Sequence, residues 1–492
     1  MRKTKIICTI GPKTAAFDTL KKLADLGMNV ARLNMSHGTR EWHGKLIRDL
    51  KRINKKFGRS LAIMLDTRGA EVRTGDVKQD MTLKTGDILT LTTRRQAELE
   101  PFCVEVSHDG FITEVELGDI ILVDGGMISL LVREINRTDV RCECLDDGVL
   151  TSRRHLNIRG KSADLPAITE QDWRDIDFGI EQRVDFIALS FVRGAESILQ
   201  LQEYLRQRQA PIDIIAKIES AASIPRLAEI IAASDGIMIA RGDLGAELPY
   251  EEVPLLQDDI TARCRAAGKP VVVATHMLES MIVNPTPTRA EVTDITHAIQ
   301  QGADAIMLSG ETATGRHPFK ALEVMDAVAR RIEAHLAANP AMRVIDDRIL
   351  RCPTLAAEEE SPFAGGKRGN RSRPSSKEEI SRSAAILGNN LGAAGTLVIT
   401  RRGLMAALLS RCRPVTPIFA FTNTTHVRRR LGIYWGVHPL MVKLSSEPEI
   451  SIQRAIEQLL RRNLVKPGDR IIVLSDILAG GKFVETVQVR II

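Results

Sequence analysis

The chain has 492 residues and a formal net charge of +6, with 44% hydrophobic and 26% charged residues, which predicts a globular protein of two to four domains. No apolar run reaches membrane length, and the amino-terminal segment is interrupted too early for a signal peptide. Seven cysteines, an odd number, predict free thiols in a reducing compartment, so we expect a cytoplasmic enzyme.

Residues 1–71 and 165–348 alternate strands with helices. Apolar runs with strand character begin near residues 4, 29, 61, 185, 212, 236, 270 and 304. Between the third and fourth runs, residues 72–164 lose the helical period and show short alternating stretches with Gly and Asp turns, which indicates an inserted all-β module. We therefore predict an α/β fold: a (β/α)8 TIM barrel interrupted after its third strand by a small β-barrel-like lid.

The carboxyl ends of two successive strands carry the most informative charges. Lys217 and Glu219 end one apolar run, and Arg241 and Asp243 end the next. Parallel α/β folds place ligands at this edge. Two carboxylates suit Mg²⁺ bound partly by water and phosphate, and an adjacent lysine neutralises a phosphoryl group or an enolate oxygen. We predict a Mg²⁺ and phosphate site here.

Oxygen-bearing residues follow the second and third strands. Asn34 and Ser36 follow one strand, and Asp66 and Thr67 follow the other. Together they predict a site for a monovalent or hard cation, although each residue alone is more typical of a strand-end cap.

The carboxyl-terminal part begins after a linker. Residues 349–376 are rich in Gly, Ser, Pro and charge. Residues 377–492 predict a C-terminal α/β domain for regulation or oligomerisation, whose first helix starts at a capping box of Ser376 and Glu379. Cys142 and Cys144 lack a second pair for zinc, so we interpret them as outward-facing strand residues.

Basic residues cluster in 367–373, Arg428–Arg430 and Arg461–Arg462. With only three Trp and three Tyr in the chain, no aromatic stacking pattern accompanies them. We interpret the clusters as a solvated linker and solvated helix surfaces and expect no nucleic-acid partner.

Eight motifs resemble the pyruvate kinase family along nearly the whole chain. They are KIICTIGP (5–12), GMNVARLNMSHG (27–38), LDTRGAEVRTG (65–75), AKIES (216–220), IMIARGDLG (237–245), ATHMLESM (274–281), NPTPTRAE (284–291) and IMLSGETATG (306–315). The resemblance implies a barrel, an inserted lid, a carboxyl-terminal α/β domain and a homotetramer. It also implies transfer of the phosphoryl group of phosphoenolpyruvate to ADP, giving pyruvate and ATP, the final step of glycolysis.

The resemblance further implies a role for each matching residue. The metal ligands are Glu219 and Asp243 for Mg²⁺ (or Mn²⁺), and Asn34, Ser36, Asp66 and Thr67 for K⁺. The catalytic residues are Arg32, Lys217 and Thr275. The substrate contacts are Arg32, Lys217, Gly242, Asp243 and Thr275. The nucleotide contacts are Asn34, Met35, Ser36, His37, Arg73 and Arg154.

Several positions depart from the family pattern. Arg68 and Ala70 stand where the family usually has lysine and proline, and His276 stands where it has glutamine. Arg154 replaces a nucleotide-binding lysine. An acid at the position of Glu71 is typical of family members that need K⁺.

The effector loop also differs from the family pattern. Residues 400–404 contain two arginines and lack most of the usual hydroxyls, and residues 476–481 add a carboxylate. This composition predicts a phosphate-bearing effector other than fructose 1,6-bisphosphate.

Two other classes of protein stay open at this point. A different barrel enzyme that uses phosphoenolpyruvate, such as a mutase or an aldolase, would not need the lid together with the carboxyl-terminal domain. A non-catalytic regulatory or nucleic-acid-binding relative would use the basic linker, but the intact catalytic set argues against loss of activity. An assay with phosphoenolpyruvate and ADP discriminates between these classes.

Overall fold

A computed structural model describes residues 1–96, 98–161, 166–339, 375–479 and 482–492, with the backbone alone for 476–479 and 482–483. The predicted linker therefore lies outside the described residues, apart from 375 and 376. The side chains of residues 476–481, which the sequence assigned to the effector loop, lie outside them as well.

Eight parallel strands close into a barrel, in the spatial order β1-β2-β3-β12-β13-β14-β15-β16. The strands are β1 Lys5–Thr9, β2 Val30–Asn34, β3 Ala62–Asp66, β12 Phe186–Leu189, β13 Asp213–Ile218, β14 Gly236–Ala240, β15 Val271–Ala274 and β16 Ala305–Leu308. Nearly all of their residues are buried, as expected for parallel strands covered on both faces. The predicted barrel, interrupted after its third strand, is confirmed.

Helices cover the outside of the barrel. The longer ones are Phe17–Asp25, Arg40–Phe57, Glu170–Glu181, Ala195–Gln207, Leu227–Ala233, Glu252–Ala267, Arg289–Gln301 and Pro318–Ala338. Short helical turns follow several strands at Ala221–Arg226, Arg241–Glu247, Glu279–Ile282 and Gly310–Ala313. Across the described ranges, no helix combines the length and apolar character needed to cross a membrane.

Local sequence signals explain where individual helices begin and end. Thr288 and Glu291 form a capping box at the start of Arg289–Gln301, which satisfies two backbone donors that a helix otherwise leaves unpaired. Gly302 then ends this helix with φ +89°, a conformation that favours glycine.

The lid contains two sheets in which most strand pairs are antiparallel. Its strands are β4 Met81–Leu83, β5 Ile88–Thr92, β6 Cys103–Glu105, β7 Ile120–Val123, β8 Ile128–Ile135, β9 Asp139–Cys144, β10 Gly148–Leu150 and β11 Leu156–Ile158, with one short helix at Phe111–Glu114. Six strands form the larger sheet in the order β11-β7-β8-β9-β5-β6, and β10 pairs with β4. Cys142 and Cys144 are fully buried on β9, so the outward orientation expected for them is wrong, because their face of the strand forms the lid core.

The carboxyl-terminal domain contains a five-stranded sheet in the order β19-β18-β17-β20-β21, with only β21 antiparallel. The strands are β17 Gly395–Ile399, β18 Ile418–Thr422, β19 Val437–Met441, β20 Arg470–Ala479 and β21 Lys482–Ile491. The helices are Ser376–Asn390, Leu404–Arg411, Thr425–Arg430, Leu431–Ile433 and Pro448–Arg461.

The capping box of the first of these helices lies one residue earlier than predicted. Ser375 accepts a hydrogen bond from the Glu378 backbone, and the Glu378 side chain bonds back to Ser375. The sequence Ser-Ser-Lys-Glu-Glu offers two overlapping boxes; the Ser376 hydroxyl bonds instead to Glu485 Oε2 at 3.3 Å, and Ser375 forms the box.

The carboxyl-terminal domain closes the amino-terminal end of the barrel. Ile433 is fully buried among side chains of the barrel interior. Arg429 bonds to Asp185, and Arg430 forms an ion pair with Asp213 at the start of β13. The interpretation of this basic cluster as a solvated surface is therefore wrong, because barrel carboxylates attract it into the interface.

Candidate active site

A buried chain of alternating charges crosses the carboxyl edge of the barrel. Arg32, on β2, donates to Asp66 from Nε and to Thr9 Oγ1 from Nη1 at 3.0 Å. Lys217, on β13, donates to Asp66 Oδ1 at 2.9 Å and lies 2.8 Å from Glu219 Oε1. Each buried charge thus has a neighbour of opposite sign, which offsets the cost of removing it from water.

The pKa values of these groups follow from burial and from their neighbours. Burial alone would lower the pKa of Lys217, but the carboxylates of Asp66 and Glu219 raise it above its ordinary value. Burial would raise the pKa of Asp66, yet Arg32 and Lys217 hold it below its ordinary value. Burial raises the pKa of Glu219 despite Lys217, and the Asp243 carboxylate adds to this rise. Glu219 is therefore the member of the chain that a further cation would stabilise most.

Glu219 and Asp243 are the two carboxylates of the predicted Mg²⁺ site. Glu219 Oε2 accepts a hydrogen bond from Phe191 N at 2.7 Å, and Asp243 lies in the first turn of the helix Arg241–Glu247. In the described part of the chain, no three His, Cys, Asp or Glu side chains are grouped to hold a metal. Two carboxylates that leave the remaining positions to water and phosphate are the donors that suit Mg²⁺, so these residues fit the ion.

Ser190 belongs to this cluster, and the sequence prediction missed it. It directly follows β12, where its hydroxyl accepts from Lys217 Nζ at 2.8 Å and donates to the Thr67 carbonyl at 2.7 Å. A polar residue after a buried strand was the signal that could have identified it, since the same signal identified Asp66.

The residues predicted to bind K⁺ lie at the ends of β2 and β3. These strands pair with Asn34 opposite Asp66, and Ser36 N donates to Asn34 Oδ1 at 3.1 Å. The Thr67 carbonyl is oriented by Ser190. All four residues offer oxygen atoms, which are the donors that hard cations prefer.

Gly242 and Thr275 meet at the ends of β14 and β15. Gly242 N donates to Thr275 Oγ1 at 2.8 Å, and Arg241 Nη2 donates to the Thr275 carbonyl at 2.6 Å. Thr275 has φ +65°, a left-handed conformation that is costly for a β-branched residue. Such strain is characteristic of functional sites.

The predicted nucleotide residues lie in two sets. Arg73 and Arg154 are neighbours at the base of the lid, where Thr74 N donates to the Arg154 carbonyl at 2.8 Å. Each guanidinium group contacts a carboxylate: Arg73 Nε donates to Glu71, the last residue of the first barrel segment, at 2.5 Å, and Arg154 lies 3.2 Å from Asp124 of the lid.

The second set, Asn34 to His37, forms the turn after β2 on the barrel. The Met35 carbonyl accepts from Arg68 Nε at 2.8 Å, and the His37 carbonyl lies 2.8 Å from His43 Nε2. These side-chain contacts fix the shape of the turn.

The lid touches the barrel directly beside the carboxylates that are predicted to bind Mg²⁺. His155 Nδ1 lies 3.7 Å from Asp243 Oδ1, and its ring packs edge-on against Phe191 with ring centroids 6.0 Å apart. Asn157 Nδ2 donates to Glu247 Oε1 at 3.3 Å. None of these three contacts was predicted, because each depends on where the inserted module comes to rest.

Known proteins match this chain over both of its main parts. Residues 1–322 match the sequence model of the family described as pyruvate kinase, barrel domain, and residues 378–490 match that of pyruvate kinase, alpha/beta domain. The solved structure of a pyruvate kinase from Cryptosporidium parvum superposes with a TM-score of 0.88 at 34% identity, covering 99% of this chain and 96% of that one.

Two curated relatives illustrate the range of similarity. The chain is 48% identical over 475 residues to plastidial pyruvate kinase 2 of Arabidopsis thaliana, covering 96% of this chain and 78% of the relative. It is 38% identical over 483 residues to pyruvate kinase of Geobacillus stearothermophilus, covering 97% of this chain and 78% of the relative.

The predicted cytoplasmic location is wrong by this comparison. The names of plastidial pyruvate kinase 2 and of several further relatives place them in plastids or chloroplasts. The prediction rested on free thiols, and six cysteines are indeed free and buried among the described residues. Free thiols are compatible with any reducing compartment, so they cannot select the cytoplasm.

Proposed function

Because this chain belongs to the pyruvate kinase family and transfers the phosphoryl group of phosphoenolpyruvate to ADP, we propose that its strand-end charge cluster performs this transfer. The observation that carries the proposal is the position of Lys217, buried between Asp66, Ser190 and Glu219. Phosphoryl transfer depends on alignment and charge neutralisation more than on covalent help. A preorganised, permanently charged ammonium meets that need.

Arg32 and Lys217 flank the transferring phosphoryl group, and Lys217 also stabilises the enolate oxygen of pyruvate. Both cations are held by Asp66, so their positions are set before substrate arrives. This preorganisation avoids a reorganisation cost during the reaction.

Glu219 and Asp243 would hold Mg²⁺, or Mn²⁺ in its place, and this ion would supply positive charge for neutralising the phosphoryl group. Asn34, Ser36, Asp66 and the Thr67 carbonyl hold K⁺.

The enolate oxygen and the substrate carboxylate face different parts of the barrel edge. Gly242, Asp243 and Thr275 bind the carboxylate. Protonation of the enolate follows through a water relay near Thr275, Ser309 and Glu311. Ser309 Oγ is buried and has no hydrogen-bond partner among the described residues, so it is available to such a water.

The nucleotide contacts come from both sides of the cleft: Asn34, Met35, Ser36 and His37 from the barrel, and Arg73 and Arg154 from the lid. Since Arg73 contacts Glu71 and Arg154 contacts Asp124 in this structure, nucleotide phosphates must compete with or share those contacts.

Each domain has a separate role in this proposal. Residues 1–71 and 165–348 form the catalytic barrel, 72–164 the lid that excludes water, 349–376 the linker, and 377–492 the regulatory and oligomerisation domain of a homotetramer.

The carboxyl-terminal domain offers a cavity for a phosphate-bearing effector. Its volume is about 630 Å³, and Lys377, Arg401, Arg402 and Ser445 are among the residues that line it. Thr400 Oγ1 accepts from Gly403 N at 2.9 Å, so the single hydroxyl of the loop offers a phosphate one O–H donor at most. The two arginines suit a phosphate, and the bulk of their side chains disfavours a close backbone wrap around a bisphosphate.

A steady-state assay tests the proposed site. Pyruvate formation from phosphoenolpyruvate and ADP, with Mg²⁺ and K⁺ present, should fall sharply in Glu219→Gln and Asp243→Asn. Turnover at the parental rate in either folded variant would reject the metal assignment.

A further inference from the structure

Glu247 is a buried carboxylate that the proposed mechanism does not use. It ends the helix Arg241–Glu247, and only 6% of its surface is exposed. Its Oε2 atom accepts from Ala221 N at 2.7 Å, and its Oε1 atom accepts from Asn157 Nδ2 at 3.3 Å. Burial raises the pKa of Glu247 to about 7, so this carboxylate is costly to place here.

The two hydrogen bonds join three separate parts of the site. Ala221 begins the short helical turn two residues after Glu219, and Asn157 lies on the lid strand β11. Asp243 lies four residues before Glu247 in the same helix, which places both side chains on one face, one turn apart.

We propose that Glu247 is a positioning residue that fixes the spacing of Glu219 and Asp243 and connects this spacing to the docked lid. The proposal rests on the proposed function, because it takes these two carboxylates as the metal ligands. A metal site formed by only two protein side chains has little internal constraint, so the backbone segments that carry them must be fixed from outside.

The arrangement links the state of the lid to the metal site. When the lid lifts, Glu247 loses its bond to Asn157 and becomes accessible to water. Asn157 itself is buried, and its Oδ1 atom has no hydrogen-bond partner within the described residues. Among the described residues, the Asn157 side chain hydrogen-bonds to Glu247, whereas its backbone is held in β11, which pairs with β7 of the lid.

Direct titration with Mn²⁺, followed by electron paramagnetic resonance, tests the proposal without relying on turnover. Glu247→Ala should weaken Mn²⁺ binding roughly 10–100-fold, the usual effect of losing a group that orients metal ligands. Glu247→Gln should retain nearly parental affinity, because its amide oxygen still accepts from Ala221 N. Glu323→Ala, which removes an exposed glutamate from an outer helix of the barrel, is the matched control and should bind Mn²⁺ like the parent.

The lid contact is tested separately by Asn157→Ala. Hydrogen–deuterium exchange should speed up in residues 156–158 in both Asn157→Ala and Glu247→Ala, while Mn²⁺ affinity should fall less in Asn157→Ala than in Glu247→Ala, because Asn157→Ala keeps the bond between Glu247 and Ala221 N. An equal loss of Mn²⁺ affinity in Asn157→Ala would show that the lid, and not the bond to Ala221, positions the ligands, and would overturn the proposal.

A purely structural role for Glu247 makes a different prediction. Folded Glu247→Ala, judged by circular dichroism, would then bind Mn²⁺ as tightly as the parent, and the proposal would be rejected. If Glu247→Ala does not fold, Glu247→Asp serves instead, since its shorter side chain cannot reach both donors and should also weaken Mn²⁺ binding.

Failure of the metal assignment itself would look different. In that case Glu219→Gln and Asp243→Asn would leave Mn²⁺ affinity unchanged, whatever the Glu247 variants show.

Discussion

Replacing Lys217 by methionine removes one positive charge and three polar contacts from the centre of the site. In the parent, Lys217 Nζ contacts Asp66 at 2.9 Å, Ser190 at 2.8 Å and Glu219 at 2.8 Å. Methionine has a similar length and fills most of the same space, so the change isolates the charge.

The expected loss of stability follows from the contacts that Asp66 and Glu219 keep when Lys217 is replaced. After the substitution, Asp66 keeps its contact with Arg32, and among the described residues Glu219 keeps the hydrogen bond from Phe191 N. Breaking a buried ion pair costs about 3–5 kcal/mol, and we expect the lower end because Asp66 stays paired. That loss leaves the protein folded, given a typical stability of about 5–15 kcal/mol. Turnover should fall by at least on the order of 10²–10³, the loss for a single preorganised donor.

The assay separates kcat from KM. The KM for phosphoenolpyruvate should change little, because Arg32, Gly242 and Thr275 still bind the substrate, whereas kcat should collapse. Lys269→Met is the matched control: Lys269 donates to the Ser234 carbonyl at the opposite end of the barrel, so its loss should leave kcat near the parental value. Near-parental kcat in folded Lys217→Met would refute the reasoning.

Three further results are expected. Activity should depend strongly on K⁺ when an organic cation replaces all alkali ions, and Glu71→Lys should weaken the dependence because an ammonium supplies the charge of the ion; full activity without K⁺ would contradict this. Fructose 1,6-bisphosphate should activate poorly. A monophosphate such as ribose 5-phosphate, glucose 6-phosphate or AMP should instead bind Arg401 or Arg402 and lower the half-saturation concentration of phosphoenolpyruvate. Strong activation by micromolar fructose 1,6-bisphosphate would contradict this prediction. Burial, together with Arg2, lowers the pKa of Lys5 to about 7, while an unfolded lysine titrates at about 10.4. The unfolded chain therefore binds more protons between these values, and the free energy of unfolding should rise with pH from about 7 to about 10. Lys5→Met, compared with the parent by chemical denaturation, should show a flatter rise, and an identical slope would disprove the assignment.

The order of strands and the main charged residues could be predicted because they depend on local pattern. Apolar runs of parallel-strand length marked β13 and β14, and the spacing of Lys217 and Glu219 put both on the same side of one chain segment. Closure of eight such strands then brings their carboxyl ends to one edge, so Arg32, Asp66 and Lys217 could be expected near each other.

Contacts made across long sequence separations could not be predicted in the same way. Ser190 meets the Thr67 carbonyl only because β12 pairs with β3 across the inserted lid. From the sequence alone, Arg429 and Arg430 were interpreted as part of a solvated surface. In the structure they contact Asp185 and Asp213 of the barrel, because the carboxyl-terminal domain packs against the end of the barrel.

By itself, the sequence determined the strand and helix pattern, the presence of a lid and the identity of the charged groups at the strand ends, because periodicity and residue chemistry are properties of short segments. The tertiary structure decided which of those groups share one buried network and which carboxylate the lid reaches. Burial and pairing set the pKa of Lys217 and Glu219, and the resting position of the lid sets the contact of Asn157 with Glu247. Both depend on the packing of segments that are far apart in the chain, and no local pattern encodes that packing.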